Sequence, residues 1–210
     1  KNITVINNGI DTSEFKPLTN SHRNPYRLIT TASADVPLKG LDYTLKALNL
    51  LKTNYPKIHL IVIGTIKENG HTRRLIDKLG LEPNITFKSN ILKADITELY
   101  STSSIAIVSS LYEGFGYPVI EAMSCEVPLI ATNTSSIPEL TGKYASLIEP
   151  RNHEAIIEST IKILSDYDKY KEIAIKGRQH VIENFNWAKI TKEYENTIYE
   201  TIKEFKNADI

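Results

Sequence analysis

Cysteine, tryptophan and methionine are scarce in this sequence of 210 residues, which contains one of each. The lone cysteine, Cys125, excludes an internal disulfide framework and is typical of a reducing compartment. An excess of charge of one sign is also missing, since 25 basic and 25 acidic residues balance. This balance argues against a nucleic acid or an anionic membrane surface as the main partner. We therefore expect a cytoplasmic protein without a nucleic-acid partner.

Long apolar runs are absent too, and none approaches the roughly 18 residues that a membrane-spanning helix needs. The first residues, KNITVINNGID, lack the charged and apolar regions of a signal peptide. They begin in a strand-like segment, so we expect the sequence to start within a longer protein. The five histidines show no metal-ligand spacing, so neither a metal site nor a cofactor is expected.

Apolar runs alternate with helical patterns over residues 26–150. Six runs predict β-strands, at 26–32, 58–64, 85–88, 105–109, 129–132 and 145–148. The segments between them have helical spacing, most clearly at 41–55, where leucines recur on one face. This alternation predicts an α/β architecture: an open, parallel, six-stranded Rossmann-like sheet with helices on both faces.

The two ends of the chain differ from this central region. We expect residues 1–17 to lead into the domain, and residues 152–210 to close it with helices at 155–165, 167–184 and 187–205. The last of these helices carries an apolar stripe at four-residue spacing: Ile190, Tyr194, Ile198 and Ile202. That stripe needs a surface to cover, either on this sheet or on another domain. Residues 1–210 are therefore predicted to form a single domain with a long C-terminal helical segment.

The stretch from Val108 to Met123, VSSLYEGFGYPVIEAM, combines a strand end, a glycine loop and a helix start marked by Pro118. N–H groups at a helix N-terminus can hold a phosphate, and glycines let the backbone approach it closely. Glu113 and Glu121 flank the loop. A carboxylate beside a phosphate would be repelled, so we expect each glutamate to accept hydrogen bonds from hydroxyl groups instead. A phosphate flanked by hydroxyls describes a nucleotide sugar.

Simpler interpretations remain open for parts of this region. The Gly-Phe-Gly sequence alone is also typical of a tight strand-to-helix turn that binds nothing. A dinucleotide site is disfavoured, because Val119 stands where the third glycine of that fingerprint is required. Downstream, Ser135 or Ser136 is expected to cap a turn of helix after the strand at 129–132.

The spacing of Glu113 and Glu121 resembles the E-x7-E motif of retaining glycosyltransferases of the GT-B type, in the glycogen-synthase-like glycosyltransferase family 4. Four further segments resemble that family in the same order: VINNGIDTSEFKP, KGLDYTLKAL, VPLIATNTSSIPEL and NFNWAKITKEY. Together these matches span nearly the whole chain. The resemblance implies half of a GT-B fold, namely the C-terminal domain that binds the nucleotide diphosphate sugar of a two-domain, metal-independent enzyme.

The resemblance also implies roles for individual residues. Glu113 would contact hydroxyls of the transferred sugar, and Glu121 those of the ribose. Lys39 would neutralise the diphosphate as it departs, which makes Lys39 and Glu113 the candidate catalytic residues. The backbone near Asn90 and Ile91 would bracket the base. The full set of candidate substrate-binding residues is Ser33, Asn90, Ile91, Gly114, Phe115, Gly116, Tyr117, Pro118 and Glu121.

The chain departs from the family at one position of the expected site. The family has an arginine five or six residues before its lysine, where this sequence has Ser33 and Ala34. A second cation would then come from the other domain, or hydroxyl groups of Thr31 and Ser33 would take part.

The function implied by the resemblance is transfer of a hexose-type sugar to an acceptor hydroxyl, in the synthesis of a cell-surface polysaccharide or glycolipid. The acceptor, a glycan or a lipid-linked glycan, would bind through an N-terminal domain that this sequence lacks. Peripheral association with the inner face of the membrane would also come from that half. The alternatives are a nucleotide-sugar or phosphosugar binding module without transfer activity, and an epimerase or phosphorylase on the same fold.

Overall fold

Six parallel strands form the centre of the computed structural model, which describes residues 3–208. The strands are β1 (Asn24–Thr31), β2 (His59–Ile63), β3 (Ile85–Lys88), β4 (Ser103–Val108), β5 (Leu129–Thr132) and β6 (Ser146–Ile148). Across the sheet they run in the order β3-β2-β1-β4-β5-β6, and each pair of neighbours is parallel. The order thus reverses between β1 and β4. The expected Rossmann-like sheet is confirmed.

Helices connect the strands and close the chain. They are α1 (Leu41–Asn54), α2 (His71–Leu79), α3 (Lys93–Thr102), α4 (Tyr117–Ser124), α5 (Ile137–Thr141), α6 (His153–Ser165), α7 (Tyr167–Phe185) and α8 (Trp187–Ala208). Short 3-10 turns at Pro37–Lys39 and Glu82–Asn84 precede α1 and β3. The strand-like start is not observed, because residues 3–9 form no regular structure and Ile10 makes only an isolated bridge with Asn186.

Most residues of β2, β4 and β5 are buried, and the buried side chains of the sheet alternate between two apolar cores. In β4 all six residues are buried; Ile105 and Ile107 belong to one core, and Ala106 and Val108 to the other. α1, α2 and α6 cover the first core, and α4, α5 and α7 cover the second. This two-sided burial explains why β2 and β5 have nearly continuous apolar sequences. The edge strands β3 and β6 contain exposed residues.

Arg23 ties the ends of two helices together beneath the second core. Its guanidinium donates to the carbonyl oxygens of Tyr100 (3.1 Å) and Ser103 (2.7 Å) near the end of α3. It also donates to those of Cys125 (2.8 Å) and Glu126 (2.9 Å), just after α4. The last carbonyls of a helix lack intrahelical partners and carry partial negative charge, so a cation there is favourable. Arg23 therefore links the end of α3 to the residues that follow α4.

The apolar stripe of α8 is not covered by the sheet. Tyr194, Ile198, Ile202 and Phe205 are between 45% and 73% exposed, whereas Ile190 at the start of the helix is buried. Of the two surfaces expected for this stripe, the sheet of this domain is therefore excluded. Within residues 3–208, no helix is both long and apolar enough to cross a membrane.

Replacing Arg23 by alanine should lower the free energy of unfolding by about 2–4 kcal/mol, because four carbonyl groups lose a charged donor in a partly buried site. The measurement is urea denaturation followed by circular dichroism. Arg73→Ala is the matched control, since Arg73 forms a surface ion pair with Glu82 and should cost at most about 1 kcal/mol. Equal losses in the two variants would contradict the role of Arg23.

Candidate functional site

The glycine loop after β4 leads directly into α4, and the serines that follow β5 hold it in place. Ser136 Oγ donates to the carbonyl oxygens of Glu113 (3.1 Å) and Phe115 (2.6 Å). Ser135 Oγ accepts a hydrogen bond from the Glu113 N–H (3.0 Å). Ser136 is the N-cap residue of α5, as expected, but its side chain makes no capping hydrogen bond to the helix. These serines instead fasten one loop of the site to its neighbour.

Gly116 is the residue at which the loop turns into α4. Its φ of 107° lies in the range that side chains disfavour, and a Cβ built there would approach Leu140 Cδ1 to 3.1 Å. Pro118 follows within the first helical turn, where its missing N–H costs no hydrogen bond. The N-terminus of α4 is thus formed by the loop between the two glutamates, as the sequence predicts.

Lys39 and Glu113 form an ion pair although 74 residues separate them in sequence. Lys39 Nζ lies 2.8 Å from Glu113 Oε1, and Ser110 Oγ donates to the same oxygen at 2.7 Å. The Glu113 side chain is 9% exposed and that of Lys39 is 32% exposed. A buried carboxylate is tolerated only with such partners. The two candidate catalytic residues therefore neutralise each other in this state of the protein.

The position after Lys39 has room only for a glycine, Gly40. A Cβ at Gly40 would lie 1.9 Å from the carbonyl oxygen of Ser109, and the φ of Gly40 is 64°. Ser109 Oγ also donates to the Gly40 carbonyl at 3.0 Å, and the Leu111 N–H donates to the Leu38 carbonyl at 2.7 Å. The loop after β1 can therefore press against the loop after β4, and this close approach brings Lys39 to Glu113.

Glu121 lies one turn into α4. Its side chain forms a hydrogen bond with Tyr100 and none with Lys39 or Glu113. Its Oε2 accepts a hydrogen bond from the Tyr100 hydroxyl at 3.3 Å, and that hydroxyl lies 3.0 Å from Thr31 Oγ1. Burial raises the pKa of Glu121 to about 7, although the Tyr100 hydrogen bond and the charge of Lys93 pull it down. Glu121 is thus a half-buried carboxyl that titrates near neutrality.

The other candidate residues follow the carboxyl ends of β1, β3 and β4. Ser33 is exposed after β1, and Asn90 is exposed after β3 with a φ of 54°. Ile91 packs against the same core as Phe115. The ring of Phe115 stacks edge-on with Tyr117 at 5.2 Å between centroids, so its side chain serves packing while its backbone stays in the loop.

Ala34, at the other position where arginine is expected, is buried and offers no polar group. The hydroxyl of Thr31, which could have compensated, is engaged by Tyr100. Lys39 is therefore the cation that the structure brings to Glu113.

A cavity of about 440 Å³ opens beside the segment that carries Lys39. Its walls include Asp35, Tyr43, Lys46 and Arg151, and none of the candidate catalytic residues. Among residues 3–208, no group of three or more histidine, cysteine, aspartate or glutamate side chains could hold a metal ion.

Sequence reasoning missed the residues that position the site. Ser110, Ser135, Ser136 and Tyr100 contact the two glutamates directly. Serine and tyrosine are common residue types, and none of these four belongs to a recognisable motif. Ser110 lies three residues before Glu113, whereas the other three lie more than 20 residues from the glutamate they contact. No sequence signal could therefore identify them.

Comparison with known proteins gives a consistent family and fold. The family model described as Glycosyl transferases group 1 matches residues 13–180. An MMP alpha-(1->4)-mannosyltransferase of Mycolicibacterium hassiacum is 30% identical over 192 residues, which cover 90% of this chain and 46% of that protein. The chain spans about half the length of the curated relatives it matches.

Two solved structures illustrate the fold. The C-terminal domain of a glycosyl transferase group 1 family protein from Francisella tularensis superimposes with a TM-score of 0.74 at 25% identity, over 85% of this chain and 100% of that one. HepE of Anabaena in complex with UDP and glucose has a TM-score of 0.80 at 22% identity, over 94% of this chain and 57% of that one. The first structure also shows that such a domain can crystallise by itself.

Replacing Gly116 by alanine should lower the free energy of unfolding by about 1–3 kcal/mol, because the new side chain is strained at positive φ and crowds Leu140. Gly114→Ala is the matched control. A Cβ at Gly114 would meet no atom of the chain within 4 Å, so its stability should stay within about 0.5 kcal/mol of the parent. Chemical denaturation checks both values, and a destabilised Gly114→Ala variant would contradict this account of the loop.

Proposed function

This chain belongs to the glycosyl transferases group 1 family, and from that premise we propose that it is the nucleotide-sugar-binding domain of a two-domain glycosyltransferase. The observation that carries the proposal is the placement of the two glutamates and Lys39 around one helix N-terminus, where the strand order reverses. In open α/β sheets, ligands bind outside the carboxyl ends of the strands at such a reversal. The phosphates would lie at the start of α4, between sugar and ribose hydroxyls.

The roles proposed for the side chains follow from their surroundings. Glu113 would accept hydrogen bonds from the transferred sugar, and Lys39 would turn from Glu113 towards the diphosphate. Gly114 supports this placement, because among residues 3–208 no atom beyond its two chain neighbours lies within 4 Å of a Cβ built there. The space beside the loop backbone is therefore open to the proposed sugar. Glu121 would accept from the ribose.

The finer proposal is a retaining, metal-independent transfer of a hexose-type sugar, as in family 4 with its E-x7-E motif. The bond between the anomeric carbon and the phosphate oxygen would break while a bond to the acceptor oxygen forms on the same face. The acceptor proton would pass to the departing phosphate, and a nucleoside diphosphate would leave. Lys39 and the N–H groups at the start of α4 would stabilise the developing charge. A sugar trapped covalently on Glu113 would exclude this course.

The acceptor would be a glycan or lipid-linked glycan of a cell-surface polysaccharide or glycolipid, held by the half of the enzyme outside this chain. The relatives that match are about twice as long as the match itself, which supports a second half. We propose a cytoplasmic site of action, where nucleotide sugars are the donors and a lone buried cysteine stays reduced. Contact with the inner membrane face would come through the other half.

A panel of UDP-, GDP- and ADP-sugars should identify the base by thermal shift. A nucleotide diphosphate sugar that binds the folded state should raise the melting temperature with its concentration. The 210-residue chain should release no nucleoside diphosphate when an acceptor is added, because only one wall of the cleft is present. Failure of every nucleotide sugar to stabilise the chain would argue against a donor site, and turnover by the chain alone would argue against the division into halves.

Lys39→Ala should weaken the binding of the best nucleotide sugar in that panel at least tenfold, since a charged hydrogen bond to a phosphate is lost. Isothermal titration calorimetry at constant ionic strength gives the dissociation constants. Lys46→Ala removes an exposed lysine of α1 outside the Glu113 site and should leave affinity unchanged. Unchanged affinity in Lys39→Ala would rule out the proposed role of that lysine.

A further inference from the structure

Tyr100 is a large polar side chain that is fully buried, yet its hydroxyl points at a residue of the site. The side chain is 1% exposed and comes from α3, on the face of the sheet covered by α4. Its hydroxyl lies between Glu121 Oε2, at 3.3 Å, and Thr31 Oγ1, at 3.0 Å. A phenylalanine would fill the same space, so packing alone does not require the hydroxyl.

The hydrogen bonds among these three side chains have one consistent direction when Glu121 is ionised. An ionised carboxylate can only accept, so the single proton of the Tyr100 hydroxyl is donated to Glu121. The Thr31 hydroxyl must then donate to the Tyr100 oxygen. Burial and the nearby charge of Glu121 raise the pKa of Tyr100 well above its usual value, so the phenol keeps its proton. Thr31 orients Tyr100, and Tyr100 orients Glu121.

The second oxygen of Glu121 is left available by this arrangement. Among the hydrogen bonds of residues 3–208, none ends on Glu121 Oε1, whereas Oε2 is held by Tyr100. One oxygen is therefore anchored to the interior, and the other can accept from a ligand. A carboxylate that is already oriented loses less conformational freedom when a ligand binds.

We propose that Tyr100 is a positioning residue that holds Glu121 ready to accept a hydrogen bond from a ribose hydroxyl, and that Thr31 sets the direction of the Tyr100 hydroxyl. The proposal rests on the proposed function for the identity of the ligand. The contact between Tyr100 and Glu121 can be tested without any ligand.

The same contact predicts how the site responds to pH. The groups that face Glu121 are Tyr100 and Lys93 from α3, Thr31 beyond Tyr100 from β1, and Cys125, which follows the end of α4. Both the Tyr100 hydrogen bond and the charge of Lys93 favour the ionised carboxylate. The ionised carboxylate is the form that accepts from the ribose in our proposal. Nucleotide affinity should therefore rise as the pH increases through the Glu121 titration near pH 7. Removing the Tyr100 hydroxyl should move that rise to higher pH.

The test compares Tyr100→Phe with Tyr167→Phe. The Tyr167 hydroxyl donates to the Ser104 carbonyl at 3.3 Å, and its ring packs against the other core. The control thus deletes a partly buried tyrosine hydroxyl that lies away from Glu121. Its hydrogen bond has the same length as that between Tyr100 and Glu121. Thr31→Val removes the hydroxyl that donates to the Tyr100 oxygen and leaves the side-chain volume nearly unchanged. Thermal denaturation first establishes that all three variants fold.

Binding is measured by calorimetry with UDP and GDP between pH 6 and 8.5, and with the 2′,3′-dideoxy form of whichever of the two binds. Tyr100→Phe should bind the parent nucleotide about threefold to tenfold more weakly at pH 7, with a pH midpoint at higher pH. Thr31→Val should show a smaller change in the same direction. Tyr100→Phe should not change affinity for the dideoxy form. That nucleotide lacks the ribose hydroxyls, so the contact with Glu121 that Tyr100 is proposed to support is already lost.

The outcomes separate the two proposals. Equal affinities and equal pH profiles for Tyr100→Phe and the parent protein would overturn the role of Tyr100, as would the same loss in Tyr167→Phe. If neither UDP nor GDP binds the parent, the proposed function fails for these bases. The carboxyl carbon resonance of Glu121, titrated by NMR without ligand, then decides the contact: its pKa should rise in Tyr100→Phe, and an unchanged pKa would overturn the positioning role.

Discussion

The parallel pairing of β1 with β4 is the constraint on which the site depends. After β1 the chain continues towards β2 and β3, and after β4 it continues towards β5 and β6. The loops that follow β1 and β4 therefore start side by side before they lead to opposite halves of the sheet. Their backbones meet so closely that only glycine fits at position 40, against the Ser109 carbonyl. The contact between Lys39 and Glu113 is a consequence of this approach of two loops.

The ion pair has a second consequence for binding. Two opposite charges with little exposure are stable only while each has a partner, so a ligand that separates them must replace both partners. Under the proposed function, a sugar diphosphate would meet this requirement, because its hydroxyls would donate to Glu113 while its phosphates would accept from Lys39. The charges would then remain compensated in the free and bound states. Such an exchange would favour a ligand that carries hydroxyls and negative charge together over inorganic phosphate alone.

The framework around the site is held by polar contacts that lie outside the motif. Arg23 fastens the ends of α3 and α4, and Arg178 donates to carbonyls of Thr12, Phe15 and Ser124. These contacts fix α4 from its C-terminal end, while Ser136 fixes the loop at its N-terminal end. The helix that carries Glu121 is therefore held at both ends. In contrast, the apolar stripe of α8 beyond Ile190 stays exposed among the residues that the structure describes.

The sequence by itself determined the class of fold, because hydrophobic periodicity is a local property. Each of the six strands was placed within a few residues of its position, and the helix after the glycine loop began where Pro118 indicated. The strand expected at the N-terminus was wrong, since a short apolar run such as ITVI forms a strand only when another strand pairs with it. Ser136, one of the two serines expected to cap the helix after β5, is its N-cap residue. Its hydroxyl nevertheless bonds to the glycine loop, because a hydroxyl bonds to whichever carbonyl or N–H the fold brings near.

The tertiary structure alone decided which residues meet at the site. Lys39 and Glu113 lie 74 residues apart, and Tyr100 and Glu121 come from different helices. Such contacts depend on strand order and on the distance between loop backbones, and neither is encoded in a spacing along the chain. The motif therefore identified the two carboxylates, while only the packed sheet determined that one is paired with a lysine and the other is held by a buried tyrosine.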